Sequence, residues 1–302
     1  MIRRLLNKIE SIYYYRYFSK KSSGAYDFLL KKVYKSTDID FIENIWKLDH
    51  FREILEPQEV KIEKLKKVLV LAPHQDDEVI GCGGTLLKLN QQGSDISICF
   101  LTNGAELSNP IKSVLIRKEE AKKVAKKFNA DVLELEIDNI SMTIEQKKII
   151  KLKEILNNDW DTIFTIWPVD QPPKHRICSY IVGKALAEVN FTGNLFFYAV
   201  HTDLIPNFYI DITNVIDEKE ELLHLYKSQI DVQRYDHLSR GLDAWRSRFL
   251  GVSNEKRFVE IFLKIPVKAY QDFQNVFETA DTRKLFKGNE NCMKSYKKIK
   301  NM

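Results

Sequence analysis

The chain has 302 residues, 44% of them hydrophobic and 29% charged, and 47 basic against 42 acidic side chains leave a net charge of +5. That balance is ordinary for a globular protein, and so mild and interleaved a positive charge excludes a dedicated nucleic-acid surface. There is no run of about 18 apolar residues to make a spanning helix. The N-terminus has no signal-peptide core, since Tyr13, Tyr14 and Tyr15 give way to Arg16 and Lys20, and a cytoplasmic location is expected. The four cysteines, Cys82, Cys99, Cys178 and Cys292, lack CxxC spacing, which predicts buried free thiols in a reducing compartment.

Residues 1–65 read as an N-terminal helical extension. Ile2, Leu5, Leu6, Ile9 and Ile12 recur at helical spacing, followed by a tyrosine cluster and the linker-like Lys20-Lys21-Ser22-Ser23-Gly24. Two readings suit this stretch: a helix docked on the main domain or a second subunit, or a peripheral contact of residues 1–20 with the inner membrane face.

From residue 66 the pattern becomes regular. Strands are predicted at 68–72, 96–102, 132–135, 162–167 and 195–200, with helices near 77–92, 111–129, 144–157 and 175–189. Gly93 is placed to stop the first helix. Strands alternating with helices of this length predict βαβ units. The expected fold is α/β, a Rossmann-like three-layer α/β/α arrangement with a mostly parallel sheet, over residues 66–265. Residues 266–302 would form a helical or flexible tail.

The first strand empties into the most informative stretch, Pro73-His74-Gln75-Asp76-Asp77-Glu78, followed by Gly81, Gly83 and Gly84. Three like charges packed at the end of a buried strand are costly unless a cation or a proton relieves them. In parallel sheets ligands bind beyond the carboxyl ends of the strands. Imidazole and carboxylate are suitable ligands for Zn²⁺, and a catalytic site keeps one position open. His74 and Asp77, three apart at a strand-to-helix turn, are two candidate ligands, and His175 is the best third, beginning a helix after the strand at 162–167. Asp76, between the first two, is the candidate general base. Glu78 suits a supporting hydrogen bond or a contact with the helix dipole. The plainer reading of Asp76 and Asp77 is a solvated helix cap. A phosphate-binding GxGxxG loop is disfavoured, because acidic residues precede the glycines and would repel a pyrophosphate. The glycines are expected to allow close helix–strand packing.

Taken together, these residues resemble the PIG-L (LmbE-like) family of zinc-dependent N-deacetylases. The resemblance rests on Pro73–Glu78 with Gly81–Gly84, continues through Leu101–Glu106, Arg117–Ala121, Asp138 and Pro168–Arg176, and ends in Asp211–Thr213, Ser228-Gln229 and Phe258–Phe262. It covers about residues 66 to 263. It implies that His74, Asp77 and His175 hold the metal, that Asp76 is the general base, and that Arg117 and Asp138 stand where relatives touch the sugar. From the residues alone, Arg117 could equally pair with Glu119 or Glu120, and Asp138 could serve a turn. Three departures from the family pattern stand out: Gln75 replaces a proline, Pro172 and Lys174 replace a histidine and an aspartate, and Tyr226 replaces a histidine. His201 and Tyr198 are then candidate replacement proton donors.

The resemblance implies a metal-dependent enzyme that removes an acetyl group from an N-acetylated amino sugar, using Zn²⁺ or another divalent metal. The alternative is a sugar- or nucleotide-binding Rossmann-like module with a degenerate metal site. Metal-dependent phosphoester hydrolysis would need a second ligand cluster, which the sequence does not display.

Overall fold

The computed structural model describes residues 57–301 together with positions 8, 9, 12, 13, 41, 44 and 45. Apart from positions 8, 9, 12 and 13, the stretch expected to contact a membrane lies outside the described residues. Eight strands form the sheet: β1 (Gln58–Glu59), β2 (Lys67–Ala72), β3 (Asp95–Thr102), β4 (Asp131–Ile137), β5 (Thr162–Ile166), β6 (Asn194–Tyr198), β7 (Phe208–Asp211) and β8 (Val259–Ile265). Their order is β1-β7-β8-β6-β5-β2-β3-β4. The block β4-β3-β2-β5-β6 is parallel throughout, and β8 runs antiparallel to both β6 and β7. The expected mostly parallel α/β sheet is what forms.

The helices are α1 (Asp77–Gln91), α2 (Pro110–Lys127), α3 (Gln146–Leu156), α4 (Pro173–Leu186), α5 (Ile216–Leu225), α6 (Lys227–Ile230), α7 (Tyr235–Arg246), α8 (Val267–Thr279), α9 (Thr282–Leu285) and α10 (Glu290–Lys300). Among the described residues none is long and apolar enough to cross a membrane. Val68 to Ala72 are completely buried, as a central strand covered on both faces requires. All of β8 but Lys264 is buried as well, so the Phe258–Phe262 segment is mostly an internal strand, and its polar residues Glu260 and Lys264, four apart, give no period-2 signal. The four cysteines are buried and free.

The glycines of α1 act through close approach. A Cβ on Gly81 would lie 2.1 Å from the Tyr198 ring, and one on Gly84 would lie 2.7 Å from the Ile212 side chain. Between them the helix breaks at Cys82, whose φ of −150° is non-helical. A break frees backbone groups that must find partners when buried. The Lys219 ammonium donates to the Ile80 carbonyl at 3.1 Å. On the other side Glu260 of β8 accepts from Gly84 N and Thr85 N, both at 2.8 Å. Lys219 lies 2.8 Å from Glu260 and 2.6 Å from Asp243, so both halves of the broken helix rest on one buried ionic cluster.

Candidate metal centre

β2 and β5 are hydrogen-bonded neighbours, Val68 opposite Thr162 through Leu71 opposite Thr165. Strand order reverses here, because the connection from β2 leads outward to β3 and β4 before the chain returns to β5. The loops leaving two such strands diverge to opposite faces and open a crevice at their carboxyl ends. His74 follows β2 and His175 is the third residue of α4 after β5, so residues 101 apart in sequence face each other across it. Pro173 opens α4, a position where its missing N–H costs nothing.

Three ligand atoms converge there. His74 Nδ1 lies 3.1 Å from His175 Nε2 and 3.2 Å from Asp77 Oδ2, and His175 Nε2 lies 3.3 Å from the same oxygen. Hydrogen bonds to the far ring nitrogens specify the tautomers. His74 Nε2 is 2.9 Å from the carbonyl oxygen of the Asn139 side chain, and His175 Nδ1 is 2.7 Å from Asp170 Oδ2. With each of those nitrogens donating, Nδ1 of His74 and Nε2 of His175 present bare lone pairs. Two lone pairs and a carboxylate oxygen with no proton between them repel unless a cation sits among them. A tetrahedral ion with bonds of about 2.0–2.2 Å places its ligand atoms about 3.3–3.6 Å apart, and the observed triangle is close to one face of that figure. The donor set therefore fits a divalent ion with one position left open.

Electrostatics within the protein follow the same geometry. Burial pulls the His74 pKa down to about 4, against the opposing attraction of Asp77. Burial also works against charge on His175, but Asp77 and Asp170 outweigh it and hold its pKa above the ordinary value. Asp77, despite burial, is held below the ordinary carboxylate range by the His175 and His74 rings. Asp76 goes the other way: burial first, then the neighbouring Asp77 charge, raise its pKa well above normal. Its backbone is unusual too, with φ 126° and ψ −29°, a conformation that L-residues rarely adopt and that concentrates at functional sites. Among the described residues no group donates a hydrogen bond to its carboxyl. Glu78 is fully buried and pushed by that burial to about 7, while the Tyr226 hydroxyl donates to it at 2.5 Å and the Asp76 backbone N–H donates at 3.1 Å.

The remaining candidates take definite places. Arg117 pairs with neither Glu119 nor Glu120. It donates to Glu106 at 2.9 Å and to Gln229 at 2.6 Å, and its buried Nε lacks a partner. Glu120 instead holds Ser228, and Glu119 holds Lys122 at the surface. Asp138 serves its turn, accepting from Ser141 N at 2.7 Å. The Tyr198 hydroxyl is committed to the Leu71 carbonyl at 3.0 Å deep in the core, so it is not available as a donor to the crevice. His201 adjoins it, with a ring 5.3 Å from that of His175. Asn139 and Asp170 escaped sequence reasoning as partners of the histidines, although Asp170 lies in the segment resembling the family. Asp170 is fully buried, and its second oxygen accepts from His201 N and Thr202 N at 3.0 and 2.7 Å. Among the described residues a second group with ligand-like spacing, Glu220, His224 and Asp236, lies on α5 and α7. Arg240 and Arg234 already occupy its carboxylates, and it shares no residue with the first, as a two-metal centre would.

Fold and site together define an α/β protein with a candidate mononuclear metal centre at the topological switch of its sheet. Residues 69–186 match the model of the PIG-L family, described as GlcNAc-PI de-N-acetylase. A diacetylchitobiose deacetylase of Thermococcus kodakarensis is 28% identical, covering 55% of this chain and 70% of that protein. The N,N'-diacetylchitobiose deacetylase of Pyrococcus horikoshii superposes with a TM-score of 0.60 at 22% identity, over 83% of this chain and 95% of the other. A 4-carboxy-2-hydroxymuconate hydratase of Pseudomonas putida superposes with a TM-score of 0.58 at 17% identity, over 67% of this chain and 96% of the other. Since one fold is seen with both a deacetylase and a hydratase, it does not name the reaction by itself.

Proposed function

We propose that this protein is a metal-dependent amidohydrolase that removes the acetyl group from an N-acetylated amino sugar of the N-acetylglucosamine type. The observation that carries the reading is the triangle of His74 Nδ1, Asp77 Oδ2 and His175 Nε2, with Asp76 beside it as a carboxyl lacking a hydrogen-bond donor. The PIG-L match and the deacetylase relatives supply the reaction class. Zinc is the ion best suited to two imidazoles and one carboxylate. When bound, a divalent ion lowers the pKa of water and polarises a carbonyl.

The protein's own residues do the rest. Asp170 and Asn139 hold the two imidazoles in the tautomers that leave the facing nitrogens bare. Asp76 takes a proton as water adds to the acetamide carbon. As the C–N bond breaks, it returns that proton to the departing amine, so that acetate and the free amino sugar result. Burial and the Asp77 charge raise its pKa, the direction that makes a carboxylate a stronger proton acceptor. Arg117, anchored by Glu106 and Gln229, and Asp138 serve as the sugar contacts in this reading.

The test is acetate release from N-acetylglucosamine and N,N'-diacetylchitobiose by purified protein, before chelation, after it, and after zinc is restored. Turnover that is lost on chelation and recovered with zinc supports the reading. A protein that binds no zinc and releases no acetate sinks it in favour of a sugar-binding module.

A further inference from the structure

Beside the metal centre lies a cavity of about 500 Å³ whose lining includes Glu106, Asn139, Lys174, Asn289 and Asn291, a size suited to a small ligand. Asn139 belongs to both places: it lines this cavity and accepts the hydrogen bond of His74 Nε2. One wall, residues 288–291, comes from the chain beyond β8, outside the segment matched by the family. That wall is fixed. Asn291 donates to the Ile140 carbonyl at 2.9 Å, Ser295 to that of Met142, and Lys184 to that of Ile299 at 2.7 Å. The first two of these bonds tie α10 to the same post-β4 segment that carries Asn139.

The charges around the cavity are unequal in their commitments. Glu106 is neutralised by Arg117 at 2.9 Å. Glu290 is largely exposed, 4.0 Å from Lys294. Lys174, one residue before His175, is half-buried and makes no hydrogen bond or ion pair among the described residues. A half-buried cation without a partner at the wall of a ligand-sized cavity lacks one thing: an anion.

Resting on the deacetylase reading, we propose that Lys174 and this cavity form a subsite for an anionic oxygen group, a phosphate or a carboxylate, carried by the substrate next to its N-acetylated sugar. The group occupies the space between Lys174 and the α10 wall while the acetamide lies at the metal centre. Asn289 already caps α10 through Cys292 N, so the side chains of Lys174 and Asn291 decide what the subsite accepts.

The experiment compares zinc-loaded wild type with Lys174→Met on three substrates: N-acetylglucosamine 1-phosphate, N-acetylmuramic acid and the neutral N,N'-diacetylchitobiose. Calorimetric binding of each is measured alongside acetate release. The expected result is a wild-type preference for one of the two anionic sugars. In Lys174→Met the ratio of its kcat/KM to that of the neutral sugar falls about tenfold or more, through KM, as loss of a charge-assisted hydrogen bond implies. Which anionic sugar loses more tells phosphate from carboxylate. An equal effect on all three substrates, or no anionic preference in wild type, overturns the subsite while turnover of the neutral sugar keeps the deacetylase reading. If no sugar is turned over, that reading fails separately. Binding of the phosphate sugar then decides the subsite: weakening in Lys174→Met supports it, and equal affinity overturns it.

Discussion

Lys219 and Glu260 meet 2.8 Å apart beneath the break in α1, each capping one of the two half-helices that the break creates. The helix can kink at Cys82 only because these two side chains, from α5 and β8, replace the backbone bonds it loses there. The first half of that helix carries Asp77 and Glu78, so the cluster fixes the platform of the metal centre.

Replacing Lys219 by methionine leaves Glu260 and Asp243 facing each other, both fully buried, with no counter-charge from that side. Breaking a buried ionic group in this way costs about 3–5 kcal/mol. Denaturant unfolding of Lys219→Met against wild type measures it, and a loss below about 1 kcal/mol would show that the cluster does not hold the kink.

Gly81→Ala tests the close approach on the opposite face of α1. The added methyl would lie 2.1 Å from Tyr198, whose hydroxyl is tethered to the Leu71 carbonyl. The ring cannot swing aside without breaking that bond, so a destabilisation of about 1–3 kcal/mol is expected. Thermal melting is the measurement. An unchanged melting temperature would mean that the helix shifts freely over β6.

Asp170→Asn keeps the shape but removes the carboxylate that orients His175 and accepts from two backbone N–H groups. The amide can present an N–H towards Nδ1, favouring the tautomer that protonates the ligand nitrogen. Zinc affinity should fall about 10–100-fold, read by competition with a chromophoric chelator. Unaltered affinity would place the control of the tautomer elsewhere.

Asp76→Asn separates chemistry from metal binding. With the proton acceptor gone, acetate release should drop by a factor of about 10²–10⁴, while zinc content by elemental analysis stays stoichiometric. Activity within a few-fold of wild type would remove Asp76 as the base. Loss of the metal itself would show that Asp76 supports the ligands rather than the reaction.

Much of this protein can be read along the chain. The strand–helix alternation from residue 66, the placement of His74, Asp76, Asp77 and His175 at strand ends, and the packing role of Gly81–Gly84 are properties of short windows. Hydrophobic period and charge express them locally. β7 and the antiparallel β8 were not legible: β7 is only four residues long, and β8 is buried on both faces and shows no alternation.

Partnership is another matter. That Asn139 and Asp170 set the tautomers, that Tyr226 donates to Glu78 across 148 residues, and that Lys219 and Glu260 share one broken helix are decided only by the fold. The reason is physical. A sequence pattern records which face a side chain presents, whereas a hydrogen bond or ion pair needs two atoms within about 3 Å. Here that proximity comes from strand order and from the crevice that opens where it reverses.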